Sequence, residues 1–83
     1  MKETLQDEVL LKQISDLVIE NSNDLTFVNS KDDFFIDLNF DSISYINLIC
    51  DIESSFDISI SVNEIEDGLR NIEDIFHLLK RDR

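Results

Sequence analysis

The sequence of 83 residues contains no proline, one glycine and one cysteine. Because proline and glycine interrupt helices most effectively, their near absence favours a helical fold. Cys50 has no second cysteine to pair with, which excludes an intramolecular disulfide and a zinc site built from cysteines. The first residues, 1–4, lack the apolar run of a signal peptide, and no segment approaches the length of a transmembrane helix. We therefore expect a cytoplasmic protein.

Basic residues are also scarce, with 7 Lys and Arg against 19 Asp and Glu and a net charge of −12. Such a surface repels the phosphate backbone of nucleic acids and would also be repelled by an anionic membrane. We therefore expect neither as a partner. The same charge attracts proteins that present Lys and Arg. The acidic residues are spread through the whole chain, so they do not form a separate acidic tail.

Hydrophobic residues make up 42% of the chain, which is enough for one small core and too much for a disordered tail. The length fits a single domain over residues 1–83. Apolar residues recur at spacings of three and four, which is the pattern of a helix with one buried face. We expect an all-α fold with three main helices, one short third helix and a long first loop. The predicted helices are residues 3–20, 42–55, 62–67 and 72–80.

Polar residues stand where three of these helices should begin. Asp41 and Ser42 both suit the N-cap of the second helix. Ser61 suits the N-cap of the third helix, and Glu64 follows it at the spacing of a capping box. Asn71 suits the N-cap of the fourth helix.

The connection from Asn21 to Asp41 is long for a loop, and loops of this length are often functional. It is also rich in apolar residues, which predicts that it lies across the bundle and contributes to the core. These residues are Leu25, Phe27, Val28, Phe34, Phe35, Ile36 and Leu38.

The second helix has two apolar faces. At 100° per residue, the core face comprises Tyr45, Leu48, Ile49, Ile52 and Phe56. Ile43, Ile46 and Cys50 fall on nearly the opposite side, which we call the outer face. Either the outer face packs under the third helix or the loop, or part of it stays exposed and docks partner proteins. The predicted partner interface is Ile43, Ile46, Asn47, Cys50, Asp51 and Glu53.

The alternation of Asp37, Asn39 and Asp41 is similar to that of a calcium-binding EF-hand loop. An EF-hand also requires glycine at its sixth position and a bidentate glutamate at its twelfth. Those positions hold Ser42 and Leu48 here, so we expect no metal site.

Residues 37–43 read DLNFDSI and resemble the signature of acyl carrier proteins, roughly D-L-G-x-D-S-L. The resemblance extends in register from about Phe35 to Leu79. It implies an acyl-carrier-type four-helix bundle that is not an enzyme. It also implies that a separate phosphopantetheinyl transferase attaches 4′-phosphopantetheine covalently to Ser42. The thiol of this arm would hold acyl groups as thioesters, and Asp41 would belong to the surface that the transferase recognises.

The sequence departs from the family's pattern at several positions. Asn39 replaces the usual glycine, but asparagine tolerates left-handed backbone angles better than most residues, so the turn can survive. Ile43 replaces leucine. Asn47 and Ser54 stand where the family commonly has acids, which indicates a specialised carrier rather than a partner of the standard enzymes of fatty-acid synthesis.

The family resemblance leaves two other functions open. Paired phenylalanines before the serine, as at Phe34 and Phe35, also occur in peptidyl carriers of amino acids. However, this chain has one more residue before Leu38 than those carriers do, which favours the acyl type. The other alternative is an acidic protein-interaction module with a carrier-like fold and no arm. As an acyl carrier, the protein would be a monomer that serves fatty-acid, polyketide or related biosynthesis. It would bind acyl-transferring and acyl-modifying enzymes through their basic docking patches.

Overall fold

The computed structural model describes residues 5–22 and 25–82. Over these residues the chain forms helices and no strand, which confirms the all-α prediction and its pattern of three longer helices and one short one. Residues 3, 4, 23 and 24, which were assigned to the first helix and its end, lie outside the described residues. The helices are α1 (Leu5–Glu20), α2 (Ser42–Phe56), α3 (Val62–Gly68) and α4 (Ile72–Asp82).

The predicted N-caps are present at three helix starts. Of the two candidates at α2, the cap is Asp41, whose carboxylate accepts a hydrogen bond from the Ser44 amide at 2.8 Å. Ser61 and Glu64 form the capping box of α3. The side-chain oxygen of Asn71 accepts a hydrogen bond from the Asp74 amide at 2.8 Å. These bonds satisfy amides that have no partner within their own helix.

The sequence predicted an end for the second helix one residue too early and did not predict its C-cap. The helix reaches Phe56, and Asp57 follows in the left-handed conformation at φ 55°. Its amide donates to the carbonyl of Glu53, and the amide of Ile58 donates to the same carbonyl at 3.1 Å. Aspartate adopts left-handed angles more readily than most residues do, so it closes the helix where glycine is more usual.

The core lies between α1, α2, α4 and the long loop. The core face predicted for the second helix is buried, apart from Phe56, which is half buried against the core. In α4, Ile72, Ile75, Leu78 and Leu79 are buried. The largest fully buried side chains are Phe34, Ile14, Leu48, Ile52, Ile72, Ile75, Leu78, Leu79 and Val18.

The long loop contributes to the core, as its apolar residues predicted. Val28, Phe34 and Phe40 are buried, whereas Phe27 and Ile36 are 73% and 77% exposed. The loop is therefore anchored at three points and leaves its other apolar residues at the surface or half covered.

Backbone hydrogen bonds join the loop to the start of α4. The amide of Phe34 donates to the carbonyl of Arg70 at 2.8 Å, and the amide of Glu73 donates to the carbonyl of Ser30 at 3.1 Å. The Arg70 guanidinium also pairs with the Asp33 carboxylate at 2.6 Å. These contacts fix the part of the loop that leads into α2.

We expect Phe34→Leu and Phe27→Leu to differ sharply in their effect on stability. Phe34 is fully buried, so its replacement should lower the free energy of unfolding by about 1–3 kcal/mol. Phe27 lies in the same loop but is largely exposed, so the same replacement should cost less than about 0.5 kcal/mol. Urea denaturation of both variants measures the difference. Equal costs would mean that the loop is not part of the core.

Candidate functional site

Ser42 is the first residue of α2, and its side chain is exposed. The preceding residue, Asp41, has an extended backbone and turns its carboxylate back to the Ser44 amide. Because Asp41 takes the capping role, the Ser42 hydroxyl is not needed to complete the helix start. The N-terminus of a helix of 15 residues also favours negative charge, since its first amides point outward. A phosphate ester on Ser42 would therefore be stabilised there.

Asp41 remains ionised near neutral pH. The hydrogen bond from the Ser44 amide, helped by the Ser44 hydroxyl, holds the pKa of the Asp41 carboxyl below its ordinary value of 3.8. An ionised carboxylate therefore stands directly beside the exposed Ser42 hydroxyl. This is the charge that a basic protein surface would meet first on approaching Ser42.

The turn before α2 depends on Asn39. This residue has φ 60°, in the left-handed region, as expected for a position where similar sequences have glycine. The next residue, Phe40, is buried, and its amide donates to the carbonyl of Phe34 at 2.8 Å. Asn39 thus allows the chain to turn into the core and then present Asp41 and Ser42 at the surface.

The loop carboxylates bind backbone amides rather than converging on one point. Asp33 accepts hydrogen bonds from the amides of Phe35 and Ile36 at 2.8 and 2.9 Å, and Asp37 accepts one from the amide of Asp33 at 2.8 Å. Over residues 5–22 and 25–82, no group of three His, Cys, Asp or Glu side chains is arranged to hold a metal ion.

The outer face of α2 is exposed. Ile43 and Ile46 are 72% and 59% exposed, and Cys50 and Asn47 are exposed as well. Of the two interpretations that the sequence left open, burial under α3 or the loop is excluded for Ile43 and Ile46. No Lys or Arg occurs in the sequence between Lys31 and Arg70, so the charged residues within this segment, which contains α2, are all acids.

Two acids assigned to the partner interface have structural contacts that the sequence did not predict. The Asp51 carboxylate accepts a hydrogen bond from the Asn21 side chain at 2.8 Å, which ties α2 to the end of α1. The Glu53 carboxylate accepts one from the amide of Ile60 at 2.7 Å, which holds the segment after α2. Both side chains are half buried. Their contact with a partner stays a prediction, and substituting Glu53 would also disturb the fold.

An apolar groove of about 340 Å³ opens beside Ser42. Its size lies at the lower end of the range for small-molecule sites, roughly 300–1,000 Å³. Side chains of the loop, α2 and α3 line it, and carbon atoms dominate the lining. The residues are Phe35, Ser42, Tyr45, Ile46, Ile49, Cys50 and Ile65.

The sequence did not predict the groove, although one signal for it was present. Ile46 and Cys50 belong to the outer face, and their side chains border the groove on one side. A helix with two apolar faces has more apolar surface than one core can cover, which indicates a second apolar contact. The positions of Phe35 and Ile65 follow only from the tertiary structure.

None of the helices in the described part of the chain is both long enough and apolar enough to cross a membrane. The family model of the phosphopantetheine attachment site matches residues 10–79. The match begins within α1, ends within α4 and includes Ser42. Neither the curated proteins nor the solved structures gave a match to the chain.

We expect Asp41→Ala to destabilise the protein and Asp41→Asn to have a smaller effect, because asparagine keeps an acceptor for the Ser44 amide but not the negative charge. The carboxylate's contribution should also depend on pH. Its pKa is lower in the folded protein than the ordinary 3.8, so its stabilisation is present above that pH and is lost as the pH falls through the lowered value. Urea midpoints of the wild type and Asp41→Ala should therefore differ more at pH 6 than in stronger acid, where the protonated carboxyl is a weaker acceptor for the Ser44 amide. A difference of the same size at all pH values would contradict a role for the charge.

Proposed function

Because the chain belongs to the phosphopantetheine attachment site family, we propose that Ser42 carries the 4′-phosphopantetheine arm and that the cargo is an apolar acyl group. A domain of this family is the site of covalent 4′-phosphopantetheine attachment, and it acts as a carrier rather than an enzyme. When attached, the arm supplies a terminal thiol that can hold an acyl group as a thioester. Such a carrier works with a phosphopantetheinyl transferase and with enzymes that process its cargo.

The geometry of Ser42 carries this proposal. In the described part of the chain, Ser42 and Ser61 are the exposed serines at helix starts. The Ser61 hydroxyl already makes two hydrogen bonds. It accepts one from the Glu64 amide and donates one to the Glu64 carboxylate at 3.1 Å. Ser42 has its cap supplied by Asp41, so its hydroxyl can be modified without loss of a helix cap.

The groove supports an acyl cargo over an aminoacyl one. An aminoacyl group carries an ammonium, which would lose its hydration against the carbon-rich lining without a partner to replace it. An aliphatic chain loses no hydrogen bonds there and gains from leaving water. The groove opens beside Ser42, so a group held near that residue can reach it. We therefore favour fatty-acid-type or other hydrocarbon-rich acyl groups over the amino acids of a peptidyl carrier.

The outer face of α2 is our candidate docking surface for the transferase and the acyl-processing enzymes. Its exposed Ile43 and Ile46 supply apolar area beside Ser42, and the ionised Asp41 supplies charge. An apolar centre beside acids, without any nearby cation in the sequence, is complementary to a partner that presents Lys and Arg.

We expect one phosphopantetheine group to be added to the wild type, and none to Ser42→Ala. The protein is incubated with coenzyme A, magnesium and a broad-specificity transferase, and its intact mass is measured. Ser54→Ala is the matched control, because Ser54 is also exposed on α2 and should not affect the addition. Circular dichroism checks that Ser42→Ala is folded.

An unmodified wild type would support the alternative of an acidic interaction module without an arm. An equal addition to Ser42→Ala would place the arm on another residue. Either result would refute the proposal for Ser42.

We expect Asn47→Lys to slow modification by the transferase several-fold at low salt. The new cation is exposed beside the outer face, within the predicted partner interface, and would repel a basic partner. Gln13→Lys makes the same change of charge at an exposed position of α1 and should have little effect. Initial rates at low and high salt measure both variants. The difference should shrink as salt screens the charges, and equal rates for the two variants would mean that the docking surface lies elsewhere.

A further inference from the structure

Three elements form the walls of the apolar groove, and they differ in how firmly they are held. Most of the lining belongs to α2, whose position is fixed by its buried core face. The remaining walls are Phe35, from the loop, and Ile65, from α3. The width of the groove therefore depends on whether these two side chains can move away from α2.

Phe35 is held on three sides. Its ring lies 4.9 Å from the ring of Tyr45, centroid to centroid, and the Arg70 guanidinium carbon lies 5.7 Å from its centroid. Its amide donates to the Asp33 carboxylate at 2.8 Å. The two rings are tilted by 43° to each other, and both a ring pair and a cation over a ring favour particular orientations of the aromatic side chain. Phe35 is thus a fixed wall although it lies at the rim of the groove.

The contacts of Arg70 explain why this wall stays in place. Two of its guanidinium nitrogens donate to the two Asp33 oxygens at 2.6 and 3.3 Å, which is a bidentate pair. The hydrogen bond from the Ile36 amide and the pair with Arg70 hold the pKa of Asp33 below its ordinary value, so the pair is present at neutral pH. The backbone of Arg70 is also bonded to Phe34 and to the Asp74 side chain.

The wall formed by Ile65 belongs to a short helix at the surface. The helix α3 has seven residues and none of them is fully buried, although Ile65 is half buried against the core and Glu64 lies 3.7 Å from Arg81 of α4. Elements with few buried apolar contacts can move at low cost in free energy. An acyl group in the groove can therefore displace Ile65 more easily than the ring of Phe35, which lies against Tyr45 and Arg70.

We propose that Phe35 is the specificity-determining residue of the groove. Its ring admits straight acyl chains and excludes branched ones at the end nearest Ser42, because it contacts Tyr45 in the first turn of α2. Arg70 is a positioning residue that acts through Phe35. This inference rests on the proposed function, since it assumes that an acyl group carried on Ser42 reaches the groove.

The test compares two isomeric acyl groups on the same protein. A broad-specificity transferase loads the wild type and its variants from octanoyl-coenzyme A or from 2-propylpentanoyl-coenzyme A, and intact mass confirms loading. The melting temperature of each acylated form is then compared with that of the unacylated form carrying the arm. A group that binds the folded protein raises the melting temperature, so the increase reports burial of the acyl chain.

In the wild type we expect octanoyl to raise the melting temperature by roughly 5 °C and its branched isomer to leave it almost unchanged. Phe35→Ala should respond to both groups, and Phe35→Leu should give an intermediate response to the branched group. Ile36→Ala is the matched control, because Ile36 is adjacent, 77% exposed and outside the groove lining. It should discriminate as the wild type does. Arg70→Gln should show a partial increase in melting temperature with the branched group. A general loss of stability would lower all melting temperatures but would not change the ratio between the increases caused by the two acyl groups.

Equal responses of the wild type to both isomers, or unchanged discrimination in Phe35→Ala, would overturn the assignment. If Phe35→Ala does not melt cooperatively, Phe35→Leu replaces it in the test, and unchanged discrimination between the two isomers in that variant would overturn the assignment. Failure of the proposed function gives a different result, since no acyl adduct would then appear in the mass of the wild type.

Discussion

The burial of Phe34 is the constraint on which the rest of the site depends. Its side chain is fully buried, and its ring lies 5.8 Å from the ring of Phe40 and 6.0 Å from that of Tyr45. Its amide donates a hydrogen bond to the Arg70 carbonyl, and its carbonyl accepts one from the Phe40 amide. One residue thus joins the loop to α2 and to the start of α4. The exposed position of Ser42 follows from this anchor, because Phe40 and Asn39 can turn the chain into α2 only if the loop is held.

The acidic residues have two roles in this domain. Near neutral pH they give the surface the negative charge that suits basic partners. Several also replace missing backbone partners, since Asp33, Asp41 and Glu53 each accept a hydrogen bond from at least one main-chain amide. A carboxylate that accepts a backbone amide stabilises a turn or a helix start in addition to any contact it makes with a partner. This is why the acids around α2 are not interchangeable.

The helix α2 takes part in all three proposed roles of the carrier, which are attachment of the arm, docking of partners and shelter of the cargo. Its core face fixes the helix, its outer face is exposed for a partner, and the edge between them borders the groove. Ser42 begins this helix, so attachment, docking and shelter of the cargo would all occur within a few turns of one element. Phe35 and Ile65 complete the groove from other elements, the loop and α3.

The sequence by itself determined the helices, the caps at Asp41, Ser61 and Asn71, and the turn at Asn39. These depend on local spacing, on side chains close to the helix starts and on the backbone preferences of single residues, all of which are visible in the order of residues. The resemblance around Ser42 likewise needed only a short segment. The groove, the Arg70 contacts of Asp33 and Phe35, and the structural roles of Asp51 and Glu53 were decided by tertiary structure alone. Most of these contacts join residues far apart in the chain, and the contact between Glu53 and the Ile60 amide, although it spans only seven residues, depends on how the segment after α2 folds back. No local pattern specifies them.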